Sequence, residues 1–278
     1  MEMAEAEAPW TLHGALTFDM FMATLRRMRR RKAVGADGLG VDMLLAPGVP
    51  MEVLKLYFQG LRACALSRTF PEAWKRVIYV LLVKPKKHRR LVQERRDIAL
   101  MAQGMKVLGR MMLTSAFHDM ETRLAEEQLG WTKAVGASEA SLMLQLALQL
   151  ARRRRRPMYV LYVDLRTFFP AVHRPNATVS ELLKGLPPEF VDTVGALFGE
   201  LTGAYDSAYG LSEPFRLYMG VLMGDVLSPD QANILLDAVA LAIRATAVGA
   251  ELGEAGDGRR LLQVLYADDW AGLFGCVD

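Results

Sequence analysis

The sequence predicts an α+β fold with an antiparallel element at its centre. Three observations carry that expectation. Helix-period and strand-period apolar patterns follow one another in mixed order, the apolar run Met158 to Leu165 (MYVLYVDL) holds a carboxylate near its end, and the closing segment reads as two strands joined at Asp268-Asp269.

Thr17 to Lys32 reads as a basic amphipathic helix with Phe18, Phe21, Met22, Leu25 and Met28 on one face. It gives way to Ala33-Val34-Gly35-Ala36-Asp37-Gly38, where the glycines mark a loop. Met51 to Ser67 follows as a second helix. Val77 to Val83 is continuous, apolar and β-branched, the pattern of a buried strand, and Lys84-Pro85 closes it. Lys106 to Glu127 and Ser138 to Arg155 are expected as long helices, the second starting at a serine and ending in arginines ahead of Pro157. Thr178 to Leu201 is helical on either side of Pro187-Pro188. Phe215 to Met219 runs as a strand into Gly220, and Asp230 to Val248 is apolar enough for a core helix. Arg260 to Tyr266 and Ala271 to Cys276 are the last two strands, preceded by a flexible insertion around Gly253, Gly256 and Gly258.

The 278 residues are 52% hydrophobic and 23% charged, which excludes a disordered class. Two cysteines, Cys64 and Cys276, exclude a disulfide scaffold and a Cys-rich zinc cluster. The longest strongly apolar run, Val77 to Val83, is far short of the roughly 20 residues of a spanning helix. Glu2, Glu5 and Glu7 give the start the wrong charge for a secretory signal. The expected setting is therefore intracellular, nucleus or cytoplasm unresolved, with no membrane partner. Residues 1–100 carry 18 basic against 10 acidic side chains, and the remainder 16 against 21. A basic first third ahead of an acidic remainder suits a polyanion held by one part and cations held by another; uneven surface charge is the plainer account.

Two apolar strands carry carboxylates where their backbones are rigid: Asp164, and the pair Asp268 and Asp269. Converging carboxylates repel and need a counter-charge, which hard divalent cations supply. Two such ions about 3.5–4 Å apart activate an attacking hydroxyl and stabilise the leaving oxygen of a phosphoryl transfer. An isolated Asp-Asp is also an ordinary turn, so its neighbours decide.

Tyr266-Ala267-Asp268-Asp269 resembles the active-site hairpin of reverse transcriptases of the non-LTR retroelement and group II intron type. Further blocks resemble that family in the same chain order. They are Lys32 to Gly38, Lys84-Pro85-Lys86 with Arg95-Arg96-Asp97-Ile98, Lys106-Val107-Leu108, Gln128-Leu129-Gly130-Trp131, Asp164 to Phe169, and Gly220 to Pro229 with Asn233. Together they span about residues 32–274.

The resemblance implies a right-hand polymerase core: an acidic start and basic helix over 1–31, fingers over 32–157, and a palm over 158–278 with an antiparallel sheet and packed helices. It implies two Mg²⁺ ions, with Mn²⁺ as a substitute. Asp164 and Asp268 would bridge them, Asp269 would complete the shell and the Leu165 carbonyl would add a ligand. Lys84 and Arg96 would neutralise an incoming triphosphate, or form a solvated charged surface. Phe169, five positions after Asp164, would clash with a ribose 2′-hydroxyl and favour deoxynucleotides, or serve as a core aromatic. Gly224 would allow close backbone approach to nucleotide or template, or be a turn glycine. The implied partners are an RNA template, a DNA primer and dNTPs; protein partners stay unknown.

Three departures stand out. Met223 replaces the usual glutamine and cannot make its amide hydrogen bonds. Asp97 and Pro170 replace a usual proline and a frequent aspartate. The chain stops at Asp278, so later palm strands and the thumb are expected to be missing. A catalytically inactive retroelement relic that binds nucleic acid is the alternative reading. An RNA-templated RNA polymerase is a third, disfavoured by Phe169. The arginine runs Arg26 to Lys32 and Arg152 to Arg156 either track phosphates or cap helices in solvent.

Overall fold

The computed structural model of the chain describes residues 10–84, 95–116, 124–132, 135–251 and 260–275. Glu2, Glu5, Glu7, Pro85, Lys86, Gly253, Gly256, Gly258, Cys276 and Asp278 lie outside the described residues. The fold is mixed α+β. In chain order its helices are α1 (Leu12–Ala15), α2 (Phe18–Arg27), α3 (Val41–Leu44), α4 (Met51–Ser67), α5 (Gln103–Ala116), α6 (Ala137–Arg153), α7 (Phe168–Ala171), α8 (Arg174–Leu183), α9 (Pro188–Phe198) and α10 (Ser228–Thr246). Its longer strands are β1 (Arg76–Val83), β2 (Arg95–Leu100), β3 (Met158–Asp164), β4 (Thr202–Ser207), β9 (Gln263–Tyr266) and β10 (Asp269–Gly275). Four two-residue strands complete the set: β5 (Gly210–Leu211), β6 (Phe215–Arg216), β7 (Ala250–Glu251) and β8 (Arg260–Leu261). Contacts divide the chain into two compact units, Met1–His118 with Gly185–Ser228, and Asp119–Lys184 with Pro229–Asp278.

In the first unit, α5 packs against α2, α4 and α9. Its Met105, Leu108, Met111 and Met112 are fully buried, and Phe21 of α2 meets Phe58 of α4 at a ring separation of 5.5 Å. Helix α2 begins where Thr17 Oγ1 accepts from the Met20 amide at 3.2 Å. It stops at Arg27, short of the expected Lys32, and Met28 is extended. Six of the seven residues from Arg26 to Lys32 are cations, and like charges at helical spacing oppose another turn. Helix α5 starts earlier than the expected Lys106 because the Asp37 carboxylate accepts from the Gln103 amide at 2.7 Å, a cap brought in from the glycine loop. The expected continuation to Glu127 is corrected: residues 124–127 are not helical, and 117–123 lie outside the described residues.

The sheet of this unit runs β2-β1-β4-β5, with β6 also on β4. β1 is antiparallel to β2 and parallel to β4. The expectation of a buried β1 is corrected, since only Val77 is buried and Leu82 is 52% exposed. β4 pairs with Arg76 to Val80 alone, so Leu81 to Val83 have a strand neighbour on one side only. The expected Phe215 to Met219 strand shrinks to the two residues of β6.

The second unit holds the antiparallel sheet β3-β10-β9 and a separate β7-β8 ribbon. Side chains alternate across that sheet. Val264 and Leu273 pack with Ala140 and Ala147 of α6, while Leu265 and Trp270 pack with Leu236 and Ala240 of α10. Among the described residues no helix is long and apolar enough to cross a membrane.

Buried polar contacts tie α8 to α10. Glu181 Oε1 accepts from Gln231 Nε2 at 3.0 Å, and burial pushes the Glu181 carboxyl up to about 7, against that hydrogen bond. The native state then keeps a proton that the unfolded chain loses near 4.5. Stability from this group is therefore fully present below about 4.5 and is lost as pH rises through about 7. Glu181→Gln is expected to remove that slope and to stabilise the protein at pH 8 by up to ~3 kcal/mol. Denaturant titrations at pH 5 and pH 8 check it, and parallel pH dependences in both proteins would refute it.

Candidate active site

The carboxylates meet because of strand register. β3 and β10 pair antiparallel with Asp164 directly opposite Asp269. Such partners have Cα atoms about 4.5–5.5 Å apart and share a face of the sheet. Tyr266 pairs with Asp269 on the other side, so the hairpin closes through two residues, Ala267 and Asp268. Asp269 thus belongs to β10, whereas the sequence placed both aspartates in the turn. Ala267 holds φ +57, a left-handed conformation that costs a residue with a Cβ about 1 kcal/mol, and it sets Asp268 at the tip.

The three acids share one electrostatic field. Partial burial raises the Asp269 carboxyl above the usual carboxylate range, and the negative charges of Asp268 and then Asp164 raise it further. Among the described residues of this unit none of the three forms an ion pair. No group of three or more His, Cys, Asp or Glu side chains among the described residues stands in metal-holding geometry. The donor set is nonetheless all carboxylate oxygen, mutually repelling and partly exposed, which fits a hard divalent cation.

Residues 125–132 brace the hairpin. The Leu129 amide donates to the Leu265 carbonyl, and the Leu265 amide to the Glu127 carbonyl, both at 2.8 Å. Gln128 Oε1 accepts from the Gly130 amide at 3.0 Å. Asn233 Nδ2 on α10 donates to the Gly130 carbonyl at 2.6 Å. A Cβ at Gly130 would lie 2.2 Å from the Ala267 nitrogen, so glycine there is a requirement of space at the hairpin tip. The next residue, Trp131, meets Phe169 edge-on at 5.7 Å, and Phe168 meets Phe169 at 6.0 Å. Phe169 is half-buried at the start of α7, four residues beyond β3's nearest neighbour Leu165. Leu165 itself packs with Leu236, Ala240 and Leu265.

Sequence reasoning assigned no role to the polar residues behind this brace. Asp237 on α10 is fully buried; it accepts from the Ala125 amide at 2.5 Å and pairs with Lys184. A fully apolar reading of Asp230 to Val248 hid these groups. Asn233 stands out only beside the Gly220 to Pro229 block, and Gln231 and Asp237 are isolated polar positions within a largely apolar stretch.

Lys84, Arg96 and Gly224 belong to the other unit. Arg96 pairs with Leu82 across β1 and β2, and Lys84 follows directly on the end of β1. Gly224 has φ +111, and a Cβ there would lie 2.9 Å from the Ala99 carbonyl. Beside it the Ala99 amide donates to the Met223 carbonyl at 2.7 Å, so the loop is stitched to β2 through backbone at Met223. Asp225 is buried and accepts from the Leu227 amide at 3.0 Å, and burial pushes its carboxyl up to about 6. The same unit contains a cleft of about 660 Å³ lined by Arg27, Arg29, Lys32, Lys106, Arg110 and Gly224 among others. Burial lowers the Lys106 ammonium, opposed by the charges of Asp37 and Asp225.

No protein-family model matches this chain, and no curated protein does.

Proposed function

We propose that the chain is the fingers-and-palm part of an RNA-directed DNA polymerase, adding dNTPs to a primer 3′-hydroxyl with release of pyrophosphate. The observation that carries the reading is the register setting Asp164 against Asp269, with Asp268 at the adjoining tip. Asp164, Asp268, Asp269 and the Leu165 carbonyl would hold two Mg²⁺. Bound there, the ions supply charge neutralisation for an attacking hydroxyl and a leaving phosphate. The chain's own residues do the rest. Lys84 and Arg96 bind the triphosphate, Arg96 through its planar fork and Lys84 as a point charge. Phe169, steadied by Trp131 and Phe168, blocks a 2′-hydroxyl. Gly224 lines the basic cleft of that unit beside β2, and the cleft offers phosphate contacts.

Primer extension on an RNA template tests the proposal, using a protein that contains this chain. Asp268→Asn together with Asp269→Asn is expected to lower the rate at least about 100-fold, the upper cost of losing a mere outer-shell partner of a metal site. Undiminished extension by that variant would sink it. Met223 favours a second reading, a relic that binds nucleic acid without catalysis. Calorimetric Mg²⁺ binding that disappears in Asp164→Ala speaks for the enzyme, and silence in both proteins speaks for the relic.

A further inference from the structure

The arginine run Arg152 to Arg156 has no part in the site above. It lies at the C-terminus of α6, where Arg152 and Arg153 occupy the last turn. The Arg156 amide donates to the Ala151 carbonyl at 3.0 Å, and the Arg155 amide to the Arg152 carbonyl at 3.1 Å. This closure normally places glycine at its left-handed position. Here Arg155 sits there with φ +54, so the chain accepts a steric penalty to keep a guanidinium at that point.

Helix α4 ends the same way, with Arg68 at φ +54. That arginine has an anion: Arg68 Nη2 lies 3.2 Å from Asp192 Oδ2. Arg155 has no such anion among the described residues. Arg156 is anchored by Glu251 at 2.7 Å, while Arg152 and Arg155 are exposed. The three arginines line a cleft of about 480 Å³ with Leu148, Pro157 and Met158. A helix C-terminus presents only about half a negative charge, less than the two cations of Arg152 and Arg155 would need.

We propose that this cleft binds the phosphodiester backbone of a single nucleic-acid strand, with Arg152 and Arg155 as phosphate ligands and Arg156 held in place by Glu251. Arg152 and Arg155 line the same cleft, so two guanidiniums can engage one strand, and the fork geometry of arginine matches phosphate oxygens. The apolar lining gives the sugar edge a surface, and its recess within a cleft favours a strand over a membrane. The proposal stands apart from the polymerase reading, because none of its residues is a carboxylate of that site or touches one.

Arg155→Gly separates function from folding. Glycine suits the left-handed position, so the variant is expected to melt about 2–4 °C higher while binding nucleic acid more weakly. Fluorescence anisotropy with a labelled oligouridylate and a labelled oligothymidylate, over a series of salt concentrations, supplies the readout. Each lost phosphate contact should lower the slope of log affinity against log salt by about 0.7, giving about 1.4 for Arg152→Ala with Arg155→Gly. The salt slope reads the arginine cleft and the primer-extension rate of Asp268→Asn with Asp269→Asn reads the polymerase site, so a failure of the polymerase reading stays distinguishable. Unchanged slopes in the arginine variants would overturn the proposal, as would equal competition by polyglutamate, which would assign the cleft to acidic protein segments.

Discussion

Gly130→Ala should unseat the hairpin that carries Asp268 and Asp269. Gly130 is buried and its φ is not in the left-handed region, so backbone conformation tolerates alanine. Space does not. The added methyl would stand 2.2 Å from the Ala267 nitrogen and 2.9 Å from its Cα, and backbone atoms cannot swing aside as the end of a side chain can. Ala267 is already in a strained conformation, and Gly130 is fixed from behind by Gln128 and Asn233. Overpacking of this kind costs about 1–3 kcal/mol, and more where neither side yields. We expect the upper end, about 3 kcal/mol by denaturant titration, with faster amide exchange across residues 263–270 and weaker Mn²⁺ binding. Native exchange rates in that segment would contradict the brace.

Asp237→Ala should be the most destabilising single change in the second unit. Asp237 is wholly buried and serves two partners, the Ala125 amide and the Lys184 ammonium. Removing it strips Lys184, itself largely shielded from solvent, of a buried counter-charge and leaves a buried amide without its acceptor. Breaking a buried pair from one side typically costs about 3–5 kcal/mol. Asp237→Asn keeps an acceptor for Ala125 and is expected to cost less. Asp237→Ala combined with Lys184→Met should recover part of the loss, because it removes the stranded charge. A double variant no more stable than the single would show that the charge pair is not the cause.

The brace and the pair explain why part of the site was legible and part was not. The carboxylates could be located because each lies at the edge of an apolar run, although an isolated Asp-Asp is also an ordinary turn and the ordered blocks around it were what singled it out. Helix α4 matches its periodicity from Met51 to Ser67, where local pattern suffices. β4 was missed: Thr202-Gly203-Ala204-Tyr205-Asp206-Ser207 has neither apolar alternation nor an apolar run. It is a strand because β1 lies beside it, with Tyr79 opposite Tyr205 and their rings 5.4 Å apart. The burial of β1 was misjudged by the same blindness to neighbours, since an apolar run says nothing about how far its partner strand extends.

By itself the sequence determined the α+β class, the position of most helices along the chain, and the three acidic residues worth attention. The tertiary structure alone decided that Asp164 faces Asp269, that Asp269 begins a strand instead of closing a turn, and that Gly130 and Asn233 hold the tip in place. The physical reason is range. Helical and strand periods are set by neighbours a few residues away, whereas register and close packing join segments more than a hundred residues apart, and no local pattern names the partner.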